Sequence, residues 1–210
     1  INSLQDTPWS INEPVFEVLE ILKAQGYGCA GLPDLEDLEL PPYPDKDRED
    51  YESAALQWRA TARGIHEHNH LHLSKRLGIE QVYAVAEDFK QYDRFYFPHQ
   101  LDFRGRAYPV PTGLQPQGCD LARGLLQFAE AKPISTPEQA RWLAIHGANC
   151  FGVDKVSMEE RVDFVDEHGD RILSVATDPI EDKWWMDADK PFQFLAFCFD
   201  WAGLMSDGYG

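Results

Sequence analysis

An acidic, proline-rich stretch at residues 32–53, LPDLEDLELPPYPDKDREDYES, is the feature that most constrains the fold of this chain. Prolines interrupt helices and strands, and a run of like charges favours contact with water. The stretch is therefore typical of a solvated connector, and it is the best candidate for a boundary between structural units.

Helices are predicted on both sides of this connector. Asn12 is a typical N-cap for the segment NEPVFEVLEILKAQG, with Pro14 in the first turn and Gly26 at the end. A second helical region is predicted to begin near Tyr51 and to resume at residues 74–92, where apolar side chains recur with the helical period.

The second half of the chain mixes short extended segments with helices. FYFPH and RAYPVP, around residue 102, alternate in polarity and contain prolines, which indicates short strands flanking a turn. Thr136 and the pair Ser157 and Glu160 predict helix starts, and PFQFLAFCFDWAG predicts a last helix ending at Gly203. The sequence predicts a mixed fold, mainly α with short β segments.

Net charge limits the classes of function. The chain carries 36 acidic and 19 Lys or Arg residues, a formal net charge of −17. A free-standing nucleic-acid-binding domain relies on a basic surface, so any such role needs a local basic patch or a larger protein. The four cysteines form no CxxC pair and no apolar run is long enough for a bilayer, which favours a cytoplasmic protein without a membrane partner.

Four histidines alternate in the segment IHEHNHLHL, at residues 66, 68, 70 and 72. On a strand all four share one face, whereas on a helix only pairs four apart do so. No cysteine or carboxylate at a helpful spacing completes a tetrahedral zinc site, so a polar surface segment is favoured over a metal site. The role of the cluster is left open.

The segment DFRGRAYP combines cations with a flexible turn. Gly105 permits positive φ or close approach of a ligand, and it lies between Arg104 and Arg106. Arginine suits bidentate recognition of phosphate, and Asp102 is placed to hold one guanidinium. Two interpretations remain: a contact site for a phosphate backbone, or salt-bridged surface residues.

Four segments of the sequence resemble, in the same order, segments of the phage-type single-subunit DNA-dependent RNA polymerases of bacteriophages and mitochondria. They are FYFPHQLDFRGRAYPVP, GCDLARGLLQFAEAKPIS, AIHGANCFGVDK and DKWWMDADKPFQFLAFCFDWAG. The resemblance implies the thumb and part of the palm of a right-hand polymerase fold. On that basis residues 1–15 end an N-terminal domain, residues 16–94 form a thumb-like helical region containing the connector 32–53, and residues 95–210 form the first part of the palm with its insertion.

The resemblance also implies roles for individual residues. Asp102, Gly105 and Arg106 match a D-x-x-G-R element that contacts template and hybrid, and Arg123 matches a cation on the nucleic-acid backbone. Lys155 matches a lysine near the phosphates of the incoming nucleotide. Lys75 and Arg76, with Ser74, fall where the basic segment of the thumb meets the hybrid. The implied partners are a DNA template, an RNA transcript, nucleoside triphosphates and the remainder of the polymerase chain.

The metal-binding motifs of the family are missing. Its palm holds two Mg²⁺ ions with two aspartates, the first in a D-G-[ST]-[CN]-[ST]-G motif that Asp207 and Gly208 do not match. No catalytic residue and no metal ligand is therefore predicted in this chain. We interpret it as an internal segment that is inactive alone, within a parent enzyme whose Mg²⁺ ligands lie elsewhere. The alternatives are a non-catalytic acidic interaction module built on the same scaffold, or a histidine-based metal protein.

Overall fold

The structure, a computed structural model, describes residues 1–208; Tyr209 and Gly210, which end the predicted palm segment, lie outside the described residues. It is mainly helical with two small antiparallel sheets, which confirms the predicted class. The α-helices are α1 (Asn2–Gln5), α2 (Glu13–Ala24), α3 (Tyr51–Phe89), α4 (Asp120–Gly124), α5 (Pro137–Phe151), α6 (Met158–Glu167), α7 (Gly169–Thr177) and α8 (Pro191–Asp207). The strands are β1 (Trp9–Ile11), β2 (His99–Leu101), β3 (Ala107–Pro109) and β4 (Leu126–Phe128), and a 3₁₀ helix covers Lys183–Asp187.

Helix α8 is the centre of the hydrophobic core. It is apolar on nearly all sides because α2, α4, α5, α7 and the 3₁₀ helix surround it. Its buried apolar side chains are Phe192, Phe194, Leu195, Phe197, Cys198, Trp201 and Leu204. A Cβ atom on Gly147 of α5 would lie 2.4 Å from the Phe197 ring, so glycine is what lets these two helices approach so closely.

The helix ends follow the predicted caps with one exception. Thr136 and Asn12 accept backbone hydrogen bonds at the starts of α5 and α2, and Ser157 forms a capping box with Glu160. The predicted end of the last helix at Gly203 is wrong, because α8 continues to Asp207. The buried side chain of Leu204 anchors the extra turn to the core.

Helix α3 is continuous over 39 residues, whereas the sequence indicated an interruption. No proline occurs between Tyr51 and Phe89, so nothing breaks its backbone hydrogen bonds. Only its C-terminal part joins the main core, through Val82 and Ala86. The Tyr83 ring also stacks on Phe16 of α2, with ring centroids 5.4 Å apart.

Residues 34–50, which we call the acidic strap, lie along α3 in the opposite chain direction. The Asn69 side chain accepts a 3.0 Å hydrogen bond from the Leu38 backbone N–H and donates one of 3.0 Å to the Leu38 carbonyl. Further towards the start of α3, the Trp58 indole N–H donates to the Pro41 carbonyl at 2.7 Å. The stretch predicted as a solvated connector is thus pinned to a helix through its backbone, while its carboxylates remain exposed.

The two sheets join distant parts of the chain. Strand β1 pairs with β4, with Trp9 opposite Phe128, and so links the N-terminus to the segment after α4. Strands β2 and β3 form a hairpin with Leu101 opposite Ala107, as the alternating segments predicted. Across the described chain, no helix combines the length and the apolar character that a bilayer crossing demands.

Candidate nucleic-acid interface

The turn of the β2–β3 hairpin is built around one carboxylate. Asp102 Oδ1 accepts hydrogen bonds of 2.9 Å from the backbone N–H groups of both Arg104 and Arg106. The Asp102 N–H donates to the Arg106 carbonyl at 2.9 Å, and the Gly105 N–H donates to the Asp102 carbonyl at 3.0 Å. Gly105 has φ +77°, in the left-handed region that glycine adopts without strain. The local sequence DFRGR therefore specifies a rigid turn.

This arrangement differs from the expected role of Asp102 as a partner of a guanidinium. Its carboxylate binds the backbone, and within residues 1–208 the Arg106 guanidinium makes no hydrogen bond or ion pair. Arg104 lies over the ring of Phe103, 5.1 Å from its centroid, and Phe103 is 92% exposed. The turn thus presents two cations and an aromatic ring to solvent, a combination suited to phosphates and bases.

The hairpin is fixed at its base by contacts from outside it. The Gln5 side chain accepts a 2.8 Å hydrogen bond from the His99 backbone N–H, and the Gln117 side chain donates to the Ala107 carbonyl at 3.2 Å. Trp9 and Phe95 form a backbone bridge just before the hairpin. The position of the turn is therefore set by both the N-terminal segment and the loop after β3.

Arg123 lies in the last turn of α4, on the wall of a cleft of about 980 Å³ between the β1–β4 sheet and α8. The start of α4 is held by Asp120, whose carboxylate accepts hydrogen bonds from the backbone N–H groups of Phe192 (2.8 Å) and Gln193 (3.3 Å). A Cβ atom on Gly124 would lie 2.7 Å from the Phe192 backbone, so α4 sits directly against α8. These contacts fix the backbone that carries Arg123.

The cleft holds further ionisable groups besides Arg123. Lys132 and Asp200 line the wall of the cleft. Loss of hydration raises the pKa of the Asp200 carboxyl, although the residue is still exposed to solvent. Burial lowers the pKa of His146, and the nearby cations of Arg123 and Lys190 lower it further, so this imidazole is neutral at pH 7. Arg123 and Lys132 share the lining of the cleft with three carboxylates, those of Asp6, Glu130 and Asp200.

Lys155 lies in the loop between α5 and α6, and its side chain is exposed. Arg161 stabilises this loop by donating hydrogen bonds to the carbonyls on either side of Lys155. One runs to Asp154 O at 2.7 Å, and two run to Val156 O at 3.0 and 3.1 Å. The loop backbone is thus held in place while the ammonium group stays in solvent.

Lys75 and Arg76 occupy neighbouring positions on α3 but have different surroundings. The Arg76 guanidinium donates to the Leu35 carbonyl at 2.5 Å and forms an ion pair with Asp37, and its side chain is only 13% exposed. Lys75 is exposed beside a smaller cavity of about 520 Å³. Arg76 therefore holds the acidic strap, and its predicted contact with nucleic acid stays a prediction.

The structure brings Asp102, Gly105 and Arg106 together in one turn, while the other predicted residues lie on separate elements: Arg123 on α4, Lys155 in the α5–α6 loop, and Lys75 and Arg76 on α3. Sequence reasoning missed Asp120 and Arg161. Asp120 was recognisable only as an acidic residue before a short helix, since its partners lie more than 70 residues away. Arg161 gave no signal beyond a charge on a predicted helix.

The histidine segment lies within α3, so its four residues form two pairs spaced by one turn. The rings of His68 and His72 stack with centroids 3.8 Å apart. In the part of the chain that the structure describes, no three His, Cys, Asp or Glu side chains are grouped closely enough to hold a metal ion.

Comparisons with known proteins agree with the resemblance seen in the sequence. A family model described as DNA-dependent RNA polymerase matches residues 133–208. The chain is 44% identical to the DNA-directed RNA polymerase of Enterobacteria phage T3 and 38% identical to the T7 RNA polymerase of Escherichia phage T7. Each match covers 99% of this chain and 23% of the relative.

A mitochondrial DNA-directed RNA polymerase of Nicotiana tabacum is 42% identical over 95% of this chain and 20% of its own length. The resemblance to phage-type single-subunit RNA polymerases is therefore confirmed along nearly the whole chain. The chain spans less than a quarter of the length of these curated relatives.

Proposed function

We propose that this chain is part of a DNA-directed RNA polymerase of the phage-type single-subunit family, and that it holds the template–RNA hybrid and the incoming nucleotide. The parent reaction is template-dependent nucleotidyl transfer from nucleoside triphosphates. The proposal is supported by the similarity along 99% of the chain and by the geometry of the β2–β3 hairpin.

The observation that carries the proposal is the turn ordered by Asp102. Since that carboxylate is occupied by backbone N–H groups, the Arg106 guanidinium keeps its donors for an external acceptor. A guanidinium on a rigid turn binds a phosphate with little loss of conformational entropy, because its backbone is already fixed. In this proposal Arg106 contacts the phosphate backbone of template or hybrid.

The other cations extend the same surface. Arg123 contacts the nucleic-acid backbone from the cleft, and Lys155 contacts the phosphates of the incoming nucleotide from a loop that Arg161 holds in place. Lys75 and Arg76 contact the hybrid from α3, with Arg76 also holding the acidic strap. Residues 16–94 then act as a thumb and residues 95–210 as the first part of a palm.

The two Mg²⁺ ions of this chemistry require carboxylate ligands, and the D-G-[ST]-[CN]-[ST]-G motif that carries the first of them in the family has no match in this sequence. We therefore assign the metal ions to ligands outside this chain and expect the chain alone to be inactive. The remainder of the polymerase chain is its proposed partner, together with DNA template, RNA transcript and nucleotides. For a phage-encoded enzyme the proposed location is the cytoplasm of the host cell.

The test is run-off transcription by the intact enzyme carrying Arg106→Ala. A hydrogen bond to a charged group is worth about 1.5–3 kcal/mol, so transcription should fall roughly ten- to a hundredfold with an unchanged circular dichroism spectrum. Arg48→Ala is the matched control, since Arg48 is a surface arginine already paired with Asp50. Unchanged run-off activity in Arg106→Ala would remove the proposed role.

An acidic interaction module is the second candidate, favoured by the net charge of −17 and by the exposed carboxylates of the strap. Salt dependence separates the two functions. Affinity for a hybrid should fall with a log–log slope of about −0.7 to −0.9 for each phosphate contacted. A protein-binding module should show no affinity for nucleic acid even at low salt.

A further inference from the structure

The histidine segment of α3, residues 66–72, has no part in the proposed function. Because the segment is helical, its histidines form two pairs, and the members of each pair lie one turn apart on the same face. In the His68–His72 pair the rings lie against each other, with centroids 3.8 Å apart and planes inclined by 29°. Both residues are half-buried, which limits the freedom of the two imidazoles.

The ring nitrogens of this pair have no hydrogen-bond partners in the described part of the protein. Within residues 1–208 neither imidazole makes a hydrogen bond, and the Nδ1 atom of His72 is buried without a partner. Histidines with a structural role in this chain are different, because the Nδ1 atoms of His99 and His168 each lie 2.8 Å from a backbone carbonyl oxygen. A buried polar atom without a partner is costly, and an external ligand would remove that cost.

Two imidazoles at this separation suit a divalent transition-metal ion. Imidazole is a good ligand for Zn²⁺, Cu²⁺ and Ni²⁺, and the Zn–N distance is about 2.0–2.1 Å. Two nitrogens bound to one such ion are therefore about 3 Å apart, which rings with centroids 3.8 Å apart reach by small side-chain rotations. Among the described residues no third His, Cys, Asp or Glu side chain joins the pair, so water completes the coordination.

The acidic strap adds negative charge beside the pair. The strap binds α3 at Arg76 and at Asn69, on either side of His72, and the strap residues between these two contacts are Glu36 and Asp37. Both carboxylates are exposed. Asp37 pairs with Arg76, whereas Glu36 forms no ion pair within residues 1–208. An unpaired carboxylate next to the imidazoles raises the local concentration of cations without being a ligand.

We propose that the His68–His72 pair binds a divalent transition-metal ion through one nitrogen of each imidazole, with water as the remaining ligands. The site is separate from the Mg²⁺ ions of the proposed reaction, because Mg²⁺ prefers oxygen ligands. An ion that bridges two residues one turn apart cross-links that turn of α3, so binding stabilises the helix where the strap is attached. The inference goes beyond the proposed function and does not depend on it.

The experiment is isothermal titration calorimetry of Zn²⁺ into the intact polypeptide that contains this chain, after a chelator has removed bound metal. The buffer is held at about pH 7.5, where zinc does not have to displace protons from imidazole. We expect a dissociation constant of roughly 1–100 µM, weaker than that of a four-ligand structural zinc site because only two protein ligands contribute. Comparing numbers of bound ions between variants cancels any zinc site elsewhere in the polypeptide.

His68→Gln/His72→Gln should bind one zinc ion fewer per chain in this concentration range. Loss of a residue that only supports a metal ligand costs about 10- to 100-fold in affinity, so loss of both ligands costs at least as much. His66→Gln/His70→Gln is the matched control, since it removes two imidazoles of the same spacing from an exposed face. It should keep the ion, and both variants should keep the circular dichroism spectrum because glutamine is a good helix former.

Hydrogen exchange followed by mass spectrometry places the ion on the helix. At a zinc concentration ten times the dissociation constant, local opening of α3 around residues 68–76 should slow roughly tenfold, because opening must release the ion. Mg²⁺ at the same concentration should leave the exchange rates unchanged.

Three results would each overturn the inference. The first is an equal number of bound zinc ions in His68→Gln/His72→Gln and in the unmodified protein. The second is loss of the ion from His66→Gln/His70→Gln instead. The third is equal slowing of exchange by Mg²⁺ and Zn²⁺, which would assign the effect to attraction of cations by the acidic strap. None of these results bears on the transcription assay with Arg106→Ala.

Discussion

The Asp120 carboxylate accepts a 2.8 Å hydrogen bond from the backbone N–H of Phe192, 72 residues further along the chain. Helix α8 has no side-chain cap of its own, so Asp120 satisfies donors at its start from a different element. The same carboxylate accepts from the Gln193 backbone and side chain at 3.3 and 3.0 Å. One residue thereby joins the helix that carries Arg123 to the central helix of the core.

Asp120→Ala should destabilise the protein by about 1–3 kcal/mol, because it leaves the backbone N–H groups of the buried residues Phe192 and Gln193, and the Gln193 side-chain amide, without this acceptor. Urea denaturation followed by circular dichroism measures the free energy of unfolding. Asp120→Asn keeps one acceptor oxygen and should lose less. Asp163→Ala, an exposed aspartate of α6, is the control and should change the free energy by less than about 0.5 kcal/mol. Equal stability of Asp120→Ala and the control would contradict this assignment.

Asp102→Ala and Asp102→Asn separate two roles of the hairpin carboxylate. Since Asp102 Oδ1 binds backbone N–H groups, the asparagine amide oxygen can replace it, and Asp102→Asn should keep most of the affinity for hybrid. Asp102→Ala should lose roughly five- to thirtyfold as the turn loosens and Arg106 loses its fixed position. Fluorescence anisotropy with the intact polypeptide measures both. If Asp102→Asn lost as much as Asp102→Ala, the negative charge would be the important property.

Asn69→Ala should release the middle of the acidic strap, because both hydrogen bonds to Leu38 disappear. The expected loss is about 1–2 kcal/mol of local stability, which corresponds to roughly 5- to 30-fold faster proteolysis within residues 34–50. Limited proteolysis with mass spectrometry gives the cleavage sites and rates. Thr61→Ala, at an exposed position of the same helix, should leave the rates unchanged. Equal cleavage in both variants would show that these hydrogen bonds do not hold the strap.

Cysteine alkylation should follow burial. Burial raises the pKa of the Cys150 thiol to about 11, and it raises that of Cys198 as well, so neither forms an appreciable amount of thiolate at pH 8. Cys119 is exposed. Iodoacetamide at pH 8 should therefore modify Cys119 first. Cys150 should react only after unfolding or as the pH approaches 11, and Cys198 only after unfolding. Peptide mapping over time measures the order, and early modification of Cys150 would contradict its buried position.

The sequence predicted those parts of the fold that depend on local rules. The caps at Asn12, Thr136 and Ser157 follow from hydrogen bonds to residues three positions away, and the hairpin follows from alternation around a glycine turn. The predicted end of the last helix at Gly203 was wrong because burial of Leu204, a tertiary effect, outweighed the low helix propensity of glycine.

The position of the acidic strap and the contacts that support the candidate site could not be predicted from the sequence, for the same physical reason. Residues 34–50 have the composition of a solvated connector, and their partners Trp58, Asn69 and Arg76 lie on another element. Similarly, Asp102 was recognised as part of the site, but its binding of the backbone in place of a guanidinium depends on the conformation of the turn. The motif indicated Asp102 as a candidate site residue, and the structure shows that its carboxylate accepts hydrogen bonds from backbone N–H groups.

The attachment of the acidic strap to α3 also affects how easily the helix can bend. A helix of 39 residues is about 58 Å long, and a bare helix of that length bends readily where it lacks neighbours. The acidic strap is attached to α3 at Arg76, Asn69 and Trp58, so bending the helix requires these two segments to slide past each other. We therefore expect α3 to move as a rigid body that rotates about its anchored end near Val82 and Ala86. A small rotation there would displace the N-terminal end of the helix by a large distance.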